Sequence, residues 1–200
     1  MRRLGSTVGL ALIVGCGSSP AGPGVEAPFD FELTDPAGDT TAATTNPAQA
    51  PGIDLLRISG TLSPKELSLT LEFGAEITRW SDGAPNGLDG FVYFDVDEST
   101  STGFLDQARD LGVDFYLDLR DNGFGRLAVV EQVKRRFVLV PATFDGTRLA
   151  VKIPRSALTL PVDLAPDLRL AIDVSGRSRA PVVDRAPNSG SFPIRPPPTP

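Results

Sequence analysis

The sequence predicts an all-β chain folded as an antiparallel β-sandwich, jelly-roll or immunoglobulin-like, with about eight to ten strands. Three observations carry this expectation. Four segments alternate apolar and polar residues with a period of two, the breaks between apolar runs hold turn chemistry, and helical periodicity is nearly absent. The 200 residues, 40% of them apolar, suffice for one domain with a real core plus tails.

In chain order, one short strand precedes a long polar loop, Gly38 to Gly52. In "LSLTLEF", Leu67, Leu69, Leu71 and Phe73 face one way and Ser68, Thr70 and Glu72 the other, as in a half-buried strand. The alternation recurs as Val113, Phe115, Leu117 and Leu119 against Asp114, Tyr116 and Asp118. It returns as Leu149, Val151 and Ile153 against Lys152, and as Leu168, Leu170, Ile172 and Val174 against Arg169 and Asp173. Ser63-Pro64-Lys65-Glu66, Asp121-Asn122-Gly123 and Asp145-Gly146 lie between apolar runs and read as hairpin connections, so neighbouring strands are mostly antiparallel. Single helical turns are expected only at Asp106 to Leu111 and Pro154 to Leu158.

Composition excludes several chemistries. There is no histidine, which removes Ser-His-Asp and Cys-His nucleophile systems and every imidazole metal site. With 19 Lys and Arg against 25 Asp and Glu, and one small basic cluster at Lys134, Arg135 and Arg136, no nucleic-acid surface is expected. No phosphate-cradling glycine loop, Ser-x-x-Lys or H-E-x-x-H string occurs. A pair of carboxylates about 5 to 10 Å apart could run glycoside hydrolysis. Surface acids are the default in an acidic chain, however, and catalysis is not expected.

The start, "MRRLGSTVGLALIVGCGSSP", reads as a signal peptide over residues 1–15: two arginines, an apolar run at Gly9 to Val14, then small residues around the sole cysteine. The run is far short of the roughly 20 residues a membrane-spanning helix needs. Ile13-Val14-Gly15-Cys16 resembles the lipobox of bacterial lipoproteins, which implies cleavage before Cys16 and a lipid on its sulfur. Two or three acyl chains then hold firmly, at about 0.8 kcal/mol per buried methylene. With Gly17 rather than aspartate after the cysteine, the resemblance implies the outer membrane of a bacterial envelope. Residues 16–28, rich in Gly, Pro and Ser, read as a flexible tether, residues 29–192 as the sandwich, and residues 193–200 as an extended proline-rich tail.

The order "DPAGD" (Asp35 to Asp39), "IDLLRISGTL", "LSLTLEF", "YFDVDESTSTGF", "GVDFYLDL", "VPATFDGTRLAVKIPRSAL" and "DRAPNSGSF" is similar to carbohydrate-binding family 9-like and DOMON-like sandwiches, over Phe29 to Phe192. Such families include sugar binders, haem modules and proteins without a small ligand, so fold alone does not transfer function. Haem is not expected, because the chain lacks histidine and holds only Met1 as a methionine. A sugar platform would need exposed aromatic faces, and Trp80, Tyr93 and Tyr116 are the candidates. An antiparallel pairing of "FVYFDVD" with "VDFYLDL" sets Tyr93 opposite Tyr116, as a ligand platform or as a cross-strand pair that stabilises the sheet.

The same register sets Asp95 opposite Asp114, and like charges facing each other across strands are destabilising. A hard cation such as calcium takes six to eight oxygens and needs no histidine or thiolate. Asp95, Asp97 and Asp114 are the expected ligands, with Ser99 and Asp106 as weaker ones; the alternative is a solvated acidic loop. The run Asp95-x-Asp97-x-Ser99 resembles the first half of an EF-hand loop without its central glycine and closing glutamate. The expected protein is thus a lipid-anchored, non-catalytic envelope module that binds a polysaccharide or an envelope protein. The alternative is a structural envelope protein without a small ligand.

Overall fold

The structure is a computed structural model and describes residues 27–42, 53–105, 111–160, 168–177 and 182–196. Cys16, its lipobox, nearly all of the tether, Asp106 and the last four residues lie outside the described residues. The fold is all-β and antiparallel in two packed layers, as the period of two predicts.

One layer contains β1 (Phe29–Thr34), β3 (Leu55–Leu62), β4 (Glu66–Phe73) and β11 (Arg148–Pro154), side by side in that order. The other runs β9 (Arg126–Glu131), β8 (Phe115–Asp118), β5 (Leu88–Asp95), β12 (Leu168–Gly176), β13 (Val182–Ala186) and β2 (Thr41–Ala42). A ten-residue strand, β10 (Arg136–Asp145), belongs to both: Arg136 to Pro141 pair with β9, Ala142 to Asp145 with β11. It makes the corner of the sandwich, as strands that switch sheets do. β6 (Phe104–Leu105) and β7 (Gly112–Val113) form a separate small hairpin, and β14 (Phe192–Ile194) adds to the edge of β12.

The strands exceed the expected eight to ten because β2, β6, β7 and β14 span only two or three residues, too few to display a period. The long ones follow it. β11 alternates exposed and buried without a break, and Leu67, Leu69, Leu71, Phe73, Leu149, Val151, Ile153, Leu168, Leu170, Ile172 and Val174 all enter the core between the layers. All three hairpin turns stand where expected. At the first, Ser63 Oγ accepts from the Glu66 N–H at 3.0 Å while the Ser63 N–H donates to Glu66 O at 2.9 Å. The expected turn after Pro154 is a single 3-10 turn, Arg155–Leu158.

Two expectations are corrected. Val113 does not share the face of Phe115, Leu117 and Leu119: it packs with Tyr93 on the outer side of the sheet. The cause is a bend at Asp114 between β7 and β8, which interrupts the alternation. The tail is not free from residue 193 either. Ile194 is fully buried opposite Leu168, and Pro193, which has no N–H to give, sits on an edge strand where that lack is tolerated.

Candidate functional site

The outer face of β5 and β8 has the register read from the sequence: Tyr93 lies opposite Tyr116 and Phe91 opposite Asp118. Alternation sends Val92 and Phe94 to the core and Phe91 and Tyr93 outward. The outward rings form an aromatic box. Phe91 stacks on Tyr93 at 5.8 Å and meets Tyr116 edge-on at 5.3 Å. Phe104, from the β6–β7 hairpin, closes it edge-on to Tyr93 at 6.2 Å and to Tyr116 at 6.4 Å. Each such contact contributes about 0.5–1.5 kcal/mol beyond area burial. With Leu111, Val113 and Ala171 these rings make a second, smaller core.

The open platform is therefore corrected: Tyr93 is only 6% exposed, because Phe104 and Val113 cover it. The box leaves a cleft instead, about 270 Å³ in volume, lined by Phe91, Tyr93, Phe104, Tyr116, Arg120 and Gln132. Arg120 lies over the Phe91 ring at 5.6 Å and is held by Asp118, Nε to Oδ1 at 3.0 Å and Nη2 to Oδ2 at 2.9 Å. That pairing raises its already high pKa, so it presents a fixed cation at the cleft wall. Beyond Tyr116 and Gln132 the cleft continues into a shallow face of Ala128, Val130, Phe137 and Leu139, edged by Arg135 and Arg136. Phe137 is 67% exposed there and Val133, at the hairpin tip, 73%.

Trp80 is not part of this site. It opens a 3-10 turn, Trp80–Asp82, and its indole lies under the Arg177 guanidinium at 4.7 Å, with Arg177 Nη1 donating to Trp80 O at 2.6 Å. One ring face is thus already occupied.

The acidic turn beside the box brings Asp95, Asp97 and Asp114 together, with one oxygen of each within 4.8 Å of the others. Backbone amides answer much of the charge. Asp95 Oδ1 accepts from the Asp97 N–H at 3.2 Å, Asp114 Oδ2 from Val96 at 3.0 Å, and Asp97 Oδ1 from Ser99 at 3.0 Å. Thr102 Oγ1 also donates to Asp97 Oδ1, at 2.9 Å. Burial pushes the carboxyls of Asp95, 2% exposed, and Asp114 upward, and these amides pull them back. Ser99 Oγ turns to Ser101 Oγ at 2.7 Å. The turn has a mechanical task as well. Gly103 sits at φ 64°, where a Cβ would stand 2.0 Å from Val113 O, so only glycine lets the chain press down on β7 and deliver Phe104 to the box.

Phe104, Arg120 and Gln132 escape a reading by period, because all three stand outside the regular alternation. No protein-family model matches the chain, and no curated protein is significantly similar to it.

Proposed function

We propose that the chain is a lipid-anchored bacterial envelope protein whose β-sandwich is a non-catalytic binding module for a saccharide. The observation that carries this reading is the cleft of Phe91, Tyr93, Phe104 and Tyr116 with Arg120 and Gln132 on its rim. Apolar ring faces suit the C–H faces of a sugar, and a fixed guanidinium with a side-chain amide suits its hydroxyl or carboxylate groups. The resemblance to carbohydrate-binding family 9-like sandwiches agrees with it. A calcium ion at Asp95, Asp97 and Asp114 belongs to the proposal as a support for the turn that carries Phe104. The non-catalytic part is supported by the lining of the cleft, which among the described residues is four aromatic rings, an arginine and a glutamine.

A glycan array on the purified protein, repeated with Tyr116→Ala, tests the binding. Specific signals lost in the variant support the proposal, since the substitution removes one of the ring faces that line the cleft. Signals unchanged by the variant would move binding away from this cleft. The exposed strip of Phe137, Val138 and Leu139 favours a second reading, an interaction protein with an envelope partner and no small ligand. An array without signal would leave that reading standing alone.

The anchor is tested separately. Cys16→Ser is expected to abolish incorporation of a fatty-acid analogue and leave an uncleaved or mislocalised precursor. Equal label in variant and parent would refute the anchor.

A further inference from the structure

A second group of carboxylates lies apart from the acidic turn, on other strands. Asp35 follows β1, Asp39 closes the turn after it, Asp54 precedes β3, and Asp184 stands in the middle of β13. Chain segments far apart in sequence are thereby joined. Asp35 donates its N–H to Leu56 O at 2.9 Å, and Asp184 Oδ2 accepts from the Leu55 N–H at 2.6 Å. Asp54 is engaged by the Gly38 N–H, which reaches both its oxygens at 3.0 Å, and Asn188 Nδ2 donates to Asp39 Oδ2.

What remains is unanswered charge in a dry place. Asp35 is 9% exposed and Asp184 1%. One oxygen from each of Asp35, Asp39 and Asp184 lies within 4.8 Å of the other two. Each of these carboxylates also keeps a buried oxygen without a hydrogen-bond partner: Asp35 Oδ2, Asp39 Oδ1 and Asp184 Oδ1. The acids at Asp95 and Asp114 differ in just this respect, because no oxygen of theirs is buried and unpartnered. Burial, then the neighbouring acids, push Asp35 up to about 7 and Asp184 up to about 6. Among the described residues, the charged groups that act on Asp35 are the acids Asp184, Asp39 and Asp54. Buried charges are paired or coordinate metals, and bare carboxylate oxygens facing one another are costly.

We propose that Asp35, Asp39 and Asp184 bind a divalent cation of the calcium class, which ties the end of β1 and the turn after it in one layer to β13 in the other. The donor chemistry selects the ion. Three hard carboxylates without nitrogen or sulfur suit calcium or magnesium rather than zinc or copper. Oxygens up to 4.8 Å apart leave room for bonds of about 2.3–2.6 Å, whereas magnesium demands about 2.0–2.1 Å and near-ideal octahedral geometry. A doubly charged ion cuts the net charge of the three carboxylates from −3 to −1, which lessens the cost of burying Asp184.

The test uses the full chain purified in detergent, stripped with chelator and verified metal-free. Calorimetric melting is followed against calcium concentration in the parent, in the double variant Asp95→Asn/Asp114→Asn, which removes the ion proposed for the acidic turn, and in that double variant with Asp39→Asn or Asp184→Asn added. An ion bound only by the folded state raises the melting temperature with its concentration. The expected result is a rise in the double variant, with at least tenfold more calcium needed once Asp39→Asn or Asp184→Asn is added. Asp39 is half-buried, so its variant remains informative if Asp184→Asn does not fold. A double variant whose curve ignores calcium, or a rise that survives the added Asp39→Asn intact, overturns the site. A rise with magnesium and none with calcium overturns the assignment of the ion. A rise in the parent that the double variant lacks would assign calcium to the acidic turn alone and overturn this site. Glycan binding is read separately on the array, so the saccharide reading and this site fail independently.

Discussion

Phe94→Ala is expected to lower the unfolding free energy by about 3 to 5 kcal/mol, the usual cost of removing a buried phenylalanine ring. Phe94 is fully buried on the inner face of β5, paired with Phe115 of β8 and Leu170 of β12. Both neighbours contribute to the same core, so the void has apolar walls on each side and little freedom to collapse. Against a total stability of about 5–15 kcal/mol for a domain, such a loss is a large fraction of the whole. Urea unfolding of parent and variant measures it directly. A difference below about 1 kcal/mol would mean that the ring does not fill the core.

Gly90→Ala should be at least as damaging, about 4 kcal/mol or more, with much of the product insoluble. Two costs combine. Gly90 has φ 127°, a backbone conformation closed to alanine without strain, and a Cβ there would stand 2.0 Å from Asp173 O and 2.9 Å from the Val174 Cα. Both obstacles are backbone atoms of β12, which cannot move without breaking the β5–β12 ladder. Gly146→Ala is the control: it shares a positive φ, 58°, but has open space around it, so only the strain of about 1–2 kcal/mol should appear. Equal melting temperatures for the two variants would show that β5 and β12 are less closely joined than the ladder implies.

Residues that face water on one side and the core on the other were the legible ones. Leu149, Val151 and Ile153 announce β11 because a half-buried strand writes its period into the sequence. Tyr93 and Tyr116 were legible as a pair because a register has only one free parameter once a hairpin-like partner is found. Their burial was not. It depends on Phe104, in a two-residue strand whose fold is set by backbone contact at Gly103 rather than by any pattern of side chains. Trp80 looked like a ligand platform because nothing in its neighbourhood names Arg177, which arrives from the end of β12. The carboxylates at Asp35, Asp39 and Asp184 were visible only as separate strings. Their meeting requires β1 and β3 to lie in one layer and β13 in the other, a fact of topology that no local stretch contains.

Strand β10 has a consequence for how the molecule comes apart. Its first six residues are hydrogen-bonded into one leaf and its last four into the other, so neither leaf can peel away without stripping a strand that the other needs. Val140 is paired with Leu127, and the Ala142 N–H is held by Gly125 O at 3.0 Å, just where the strand passes between leaves. Amide exchange at these two positions therefore reports opening of the whole domain rather than local fraying. The seam couples the two leaves, so both are expected to open in one cooperative step.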